Sequence, residues 1–162
     1  MRLGKKTLEE LRKIINGDGT GDYRSGPQLV TFFNGLGFND IYGQGFPSRW
    51  VYTDSRLDKI NGTPELDKCL REVFAPINYI SRIPELDELI VRFNQYLAFD
   101  KWKIIRENDS ISFKRLDRVI IDENPKTVSE MQDTDFLKIT YDVDIDKLKL
   151  DGAISVSYTH LR

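Results

Sequence analysis

The chain has 162 residues, of which 40% are hydrophobic and 31% charged, and its net charge is −2; this is the composition of a folded globular protein, not of a disordered one. Such a balance gives no overall attraction to nucleic acid or anionic lipid, so binding of that kind needs a local basic patch. Cys69 is the one cysteine and His160 the one histidine, which excludes an internal disulfide and a Cys/His zinc site and confines imidazole acid–base chemistry to the last residues.

No apolar run approaches the roughly 18 to 20 residues of a spanning helix, and the N-terminal stretch has no signal-peptide core. A cytoplasmic location and no membrane partner are therefore expected. The length suits one domain of ordinary size with a short extension, able to bury about 70% of its unfolded surface.

Taken in order, Thr7 and Glu10 have capping-box spacing, and Leu8, Leu11, Ile14 and Ile15 repeat at helical period up to Gly17. Residues 17–21 look like a phosphate loop, but no strand precedes them and no Lys-Ser/Thr pair follows, so they read as a connector. Ser25 and Gln28 form a second capping-box pair with Pro27 in the first turn, opening a helix that carries Leu29, Val30, Phe32, Phe33 and Leu36. Gly35 and Gly37 stop it.

Residues 35–63 are dense in glycine and aromatic side chains: Gly35, Gly37, Gly43 and Gly45 stand among Phe38, Tyr42, Phe46, Trp50 and Tyr52. Glycine permits tight bends and the rings supply large apolar area, so this stretch predicts a compact loop anchored on helices by its rings. Arg49 and Trp50 follow the turn signal Pro47-Ser48 and present a charged and an aromatic group together. A third helix is predicted over 51–60, with Ser48 and Thr53 both acceptable caps and Asn61-Gly62 closing it.

Thr63-Pro64 opens a fourth helix, in which Leu66, Cys69, Leu70, Val73 and Phe74 fall at i, i+3, i+4, i+7 and i+8. Cys69 lies inside that stripe, which predicts a buried, inert thiol. Ala75-Pro76 ends the helix. Pro84 starts a fifth, with Leu86, Leu89, Ile90, Phe93 and Leu97 on one face. From Lys101 the period changes to two: Trp102 and Ile104, then Ile111 and Phe113, flank Asn108-Asp109, the pattern of a β-hairpin. The fold class is thus α+β, mainly helical, with about five helices and a terminal hairpin over residues 1–118. Residues 119–135 read as a linker, and 136–154 as the start of a further domain.

The hairpin and its flank carry Lys101, Lys103, Arg106, Lys114, Arg115 and Arg118. A basic hairpin after helices can serve as the wing of a winged-helix nucleic-acid binder, with Lys103, Arg106, Lys114 and Arg115 as contacts; the plainer reading is the solvated face of a two-stranded sheet. Asp142, Asp144 and Asp146 resemble the opening of a calcium loop, but Lys147 stands where glycine belongs and Ala153 where glutamate belongs. No metal and no cofactor are expected. The carboxylate pairs Glu9/Glu10 and Asp87/Glu88 read as solvated helix faces. No nucleophile–base pair can be assigned, so catalytic residues are none.

The run Phe33 to Phe38 (FNGLGF), then Gly45 to Trp50 (GFPSRW), Tyr52, and Leu57 followed by Asn61-Gly62-Thr63 is similar to the N-terminal domains of bacterial abortive-infection proteins of the AbiJ type. Those phage-defence proteins carry a HEPN-like domain at the C-terminus. The resemblance extends over residues 25–154: two regular helices after the motif, a hairpin from Lys101, and in 136–152 the join to the C-terminal domain. Residues 155–162 depart from the family and resemble translated sequencing-adapter DNA, which would remove His160 from consideration and truncate the gene. The HEPN ribonuclease signature, an arginine with a histidine a few residues later, is absent. The resemblance implies a nuclease-containing parent without giving these residues nuclease activity.

The expected role is accordingly a non-enzymatic sensing or regulatory module controlling a HEPN-like effector. Arg49, Trp50 and Tyr52 are expected to form its partner surface, since Arg and Trp are common interface anchors. The expected partners are the C-terminal effector domain itself, a phage-derived trigger, a nucleic acid or a second copy. Two other readings stay open: the winged-helix nucleic-acid module, and a structural dimerisation domain whose exposed aromatics form the interface.

Overall fold

Helical periodicity in the first two thirds of the chain becomes five helices: α1 (Lys5–Asn16), α2 (Gly26–Gly35), α3 (Arg49–Ile60), α4 (Pro64–Val73) and α5 (Ile83–Leu97). Short 3-10 turns at Pro76–Tyr79 and Ala98–Asp100 flank α5, and a hairpin of β1 (Trp102–Glu107) and β2 (Ser110–Arg115) follows. The computed structural model describes residues 1–19 and 22–119, all within one compact unit, Met1–Pro125. The linker at 119–135 (apart from Val119), the domain start at 136–154, the segment 155–162 and the Asp142–Asp146 motif lie outside the described residues. The mainly helical α+β class expected from the sequence is the one observed.

Phe33, Phe74 and Phe93 are fully buried together with Leu11, Ile15, Leu29, Leu57, Leu66, Leu70, Leu86 and Leu97. Each such side chain contributes about 1.5–3 kcal/mol on leaving water. The aromatic core has two centres. Phe74 and Phe93 join α4 to α5 at a centroid separation of 5.2 Å, while Phe33 receives Phe32, Phe38 and Tyr52 edge-on at 5.1, 6.0 and 5.7 Å. The stripe Leu66, Cys69, Leu70, Val73 and Phe74 is buried throughout, and burial pushes the Cys69 thiol up to about 12.

Two local starts differ in detail from expectation. Thr7 does not cap α1; the helix begins at Lys5, and Thr7 is buried with its hydroxyl donating to the Tyr96 carbonyl of α5 at 3.3 Å. The Asp100 carboxylate accepts from the Gly4 N–H instead, at 2.9 Å. Helix α3 starts at Arg49, with Ser48 as its cap. The second capping pair forms as expected: Gln28 Oε1 accepts from the Ser25 N–H at 2.8 Å.

Three asparagines at helix ends or faces perform the same task. Each side chain accepts from the N–H, and donates to the C=O, of one residue in a neighbouring segment, which is the bonding pattern a β partner would supply. Asn61 takes Leu3 in this way (2.8 and 2.9 Å), Asn34 takes Asp40, and Asn94 takes Ile104 (2.8 and 2.9 Å). The N-terminal segment, the glycine–aromatic loop and the hairpin are thereby fastened to the helices by one amide each.

Candidate functional site

Between α2 and α3 the chain leaves the core, and the loop it makes is held by a small polar cluster. Asn34 binds both backbone groups of Asp40, at 2.8 and 2.9 Å. The Asp40 carboxylate accepts from Arg56 Nε and Nη2 at 2.6 and 2.7 Å and from the Tyr52 hydroxyl at 2.8 Å. A bidentate guanidinium–carboxylate pair fixes orientation as well as distance. The Arg56 bonds hold the Asp40 carboxyl below its ordinary range, and burial together with Asp40 pushes the Tyr52 hydroxyl up to about 12. Tyr52 and Arg56 lie one turn apart on α3, so a single helix face supplies both partners.

Beyond Asp40 the rings take over. Tyr42 lies on Phe46 and Phe46 on Tyr52, both at 4.7 Å between centroids. The Tyr42 ring rests so closely on Gly26 that a β-carbon there would collide with it, and Gly45 turns the chain at φ +82°. These anchors shape an open depression of about 470 Å3 lined by Asp40, Ile41, Phe46, Val51, Tyr52 and Arg56 among others. On its rim Ile41 is 89% and Val51 59% exposed, and Tyr42 is 50% exposed. Together they leave apolar surface open to water beside the depression.

The three residues expected to form the partner surface separate. Trp50 is half exposed, with the Arg12 guanidinium 4.6 Å above its ring. Tyr52 is buried, its ring in the Phe33 cluster and its hydroxyl on Asp40; it supports the depression from beneath. Arg49 points into the molecule. Its guanidinium donates to the carbonyls of Asn16 and Arg24 at 3.0 and 2.9 Å and to Asp18 at 2.9 Å, and it stacks on Tyr23 at 4.1 Å. Arg49 is thus the staple joining the end of α1 and the start of α2 to the start of α3. Asp40, Ile41 and Arg56 were not singled out by sequence. Two signals existed: the (i, i+4) spacing of Tyr52 and Arg56, and the uncharged run 41–48 led by Ile41-Tyr42.

The basic residues of the hairpin divide between its two faces. The strands pair Trp102 with Arg115, Lys103 with Lys114, Ile104 with Phe113 and Arg106 with Ile111. Since alternate residues face opposite sides, Ile104, Ile111, Arg106 and Arg115 share the side turned to α5, whereas Lys103 and Lys114 share the other. Arg106 donates to both carboxylate oxygens of Asp87 on α5 at 2.6 and 2.8 Å. Asp87 is therefore an ion-pair partner and not the solvated carboxylate its helix position suggested. The four expected nucleic-acid contacts do not form one patch.

Among the described residues no three metal-ligating side chains converge, and no helix is long and apolar enough to cross a membrane. Compared with models of known families, with curated proteins and with solved structures, the chain matches none.

Proposed function

We propose that residues 1–119 are a non-catalytic regulatory module of a cytoplasmic abortive-infection protein, controlling a HEPN-like effector by way of a contact made at the face around Ile41, Tyr42, Trp50 and Val51. The observation that carries the reading is the exposure of these apolar side chains on the loop and on the first turn of α3: Ile41, at 89% exposed, directly follows Asp40, whose backbone and carboxylate groups are bonded to Asn34, Tyr52 and Arg56. A preordered apolar loop loses little entropy when it is covered, which is the property a regulatory contact needs. The defence role is drawn from the resemblance of the Phe33–Phe38 and Gly45–Trp50 motifs.

The test places the complete gene in a bacterial host challenged with phage. Ile41→Asp and Trp50→Ala change exposed side chains, so both proteins fold, and both lose protection. Protection retained in both variants would discard the face; no protection by the unaltered gene would discard the defence role. Arg49→Ala does not serve here, because it removes the staple and alters folding and contact together.

A further inference from the structure

We infer that the partner of this face is a second copy of the same chain, with Ile41 of each copy seated in the depression of the other. The inference rests on the reading above for one point only, that this face is a contact surface. Three observations choose the occupant.

The first is shape. Ile41 is the most exposed large apolar side chain described, at 89%, and it stands on the rim of the depression. A projection beside a hollow on one surface is self-complementary under a two-fold axis: the projection of each copy meets the hollow of the other, and both contacts form at once.

The second is charge. Residues 41–48 carry none, and the two charged side chains lining the depression, Asp40 and Arg56, neutralise each other through the bidentate pair. A charged face repels its own copy across a two-fold axis; this one does not. The same neutrality offers phosphate nothing to bind, which separates a second copy from a nucleic acid.

The third is area. Ile41, Tyr42 and Val51 at 89%, 50% and 59% exposed, with the neighbouring Phe46 and Pro47, present on the order of 500 Å2 per copy, so two copies cover roughly 1,000 Å2. That is the lower limit for a specific interface, so the dimer is expected to be weak and is sought across the micromolar range.

Sedimentation velocity on the full chain from about 1 to about 200 µM covers that range. The unaltered chain shifts from monomer to dimer across the series, and Ile41→Asp stays monomeric with an unchanged melting temperature. Cross-linking reads the geometry directly: Ile41→Cys mixed with Ser55→Cys gives a disulfide-linked dimer, whereas Ile77→Cys mixed with Ser55→Cys, a pair with a cysteine on the 3-10 turn before α5, exposed and outside the lining of the depression, does not. Cys69 is fully buried and takes no part. A chain monomeric throughout the series overturns the inference, as does a dimer that survives Ile41→Asp or cross-linking no faster than the Ile77 control. If the chain is monomeric and Ile41→Asp still loses phage protection, the second copy is overturned and the contact face is kept. If dimerisation is lost and protection is not, the dimer stands and the regulatory reading falls.

Discussion

The glycine–aromatic loop and the hairpin are fastened to the helices by the same pair of devices. In the loop, Asn34 binds both backbone groups of Asp40 and Arg56 grips the Asp40 carboxylate. In the hairpin, Asn94 binds both backbone groups of Ile104, and Asp87 grips Arg106. What differs is the direction of the apolar side chains. Ile104 and Ile111 are 1% and 5% exposed, buried in the core cluster with the helices, whereas Ile41 in the loop and Val51 beside it on α3 are 89% and 59% exposed. In the hairpin the fastening adds to a hydrophobic contact that already holds it. In the loop it holds Ile41 out in water, and the contact face proposed above rests on this contrast.

The largest expected effect tests that contrast with one substitution made twice. Ile104→Ala empties a closed site and costs about 2–5 kcal/mol. Ile41→Ala, at monomer concentrations, changes stability by less than about 0.5 kcal/mol. Urea unfolding of both variants measures the gap; equal losses would mean that Ile41 is covered within its own chain.

Next in size is the latch. Asp40→Asn keeps the backbone clamp but removes the charge-assisted bonds from Arg56 and weakens that from Tyr52, at a cost of about 1–3 kcal/mol. The pH dependence has a definite sign. The Asp40 carboxyl sits below its ordinary value of 3.8, mainly through Arg56, so its stabilisation is present above pH about 4 and lost as pH falls through the depressed value. The melting-temperature gap between the unaltered chain and Asp40→Asn is therefore constant near neutrality and narrows in acid; a gap undiminished at the lowest pH at which both still fold refutes the latch. Tyr52, raised from 10.0 to about 12, acts at the other end: its contribution is complete below pH 10 and is lost as pH rises towards 12.

Smaller again are the clamps. Asn34→Ala and Asn94→Ala each leave one partly buried N–H and one C=O for water to satisfy, costing about 1–2 kcal/mol. Their local effects differ. Asn34→Ala speeds amide exchange in residues 37–48 more than its global cost implies, because the anchors left to that loop are the Asp40–Arg56 pair and partly buried rings rather than fully buried side chains. Asn94→Ala speeds exchange in the hairpin only in proportion to global stability, since Ile104, Ile111 and Phe113 still anchor it. Matching local acceleration in both segments would erase the distinction drawn between them.

The helices and hairpin are legible in the sequence because their information is local. The spacing of Leu66, Cys69, Leu70, Val73 and Phe74 is enough for α4, and the alternation about Asn108-Asp109 is enough for the hairpin. The site is less so. Arg49 reads as a surface anchor until its acceptors are known, and these lie at Asn16, Asp18 and Arg24, brought together by the packing of α1 on α3. Thr7 shows the same limit: its spacing to Glu10 imitates a cap, but the Tyr96 carbonyl from α5 claims the hydroxyl. Arg106 looked like a free cation for want of a rule linking it to Asp87, a helix away. In each case a polar group reads as serving solvent, a partner or its own helix end because its real partner is distant in sequence, and no periodicity records such pairs.

Backbone conformation gives the smallest effect and separates the two segments once more. Gly45 in the loop and Asn108 in the hairpin turn both have positive φ, +82° and +52°. At Gly45 a β-carbon meets nothing within 4 Å, so Gly45→Ala introduces strain without a clash and costs about 1 kcal/mol. At Asn108 the opposite change, Asn108→Gly, relieves what strain an asparagine suffers in the left-handed region, which is small because asparagine tolerates it. The added freedom of the unfolded chain costs about 0.4–1 kcal/mol and cancels most of that gain. The bond from Arg106 to the Asn108 carbonyl uses the backbone and survives the change. Asn108→Gly is therefore expected to stay within about 0.5 kcal/mol of the parent in chemical unfolding. A larger loss would show that the Asn108 side chain itself holds the turn, and that the hairpin depends on its loop more than its buried isoleucines imply.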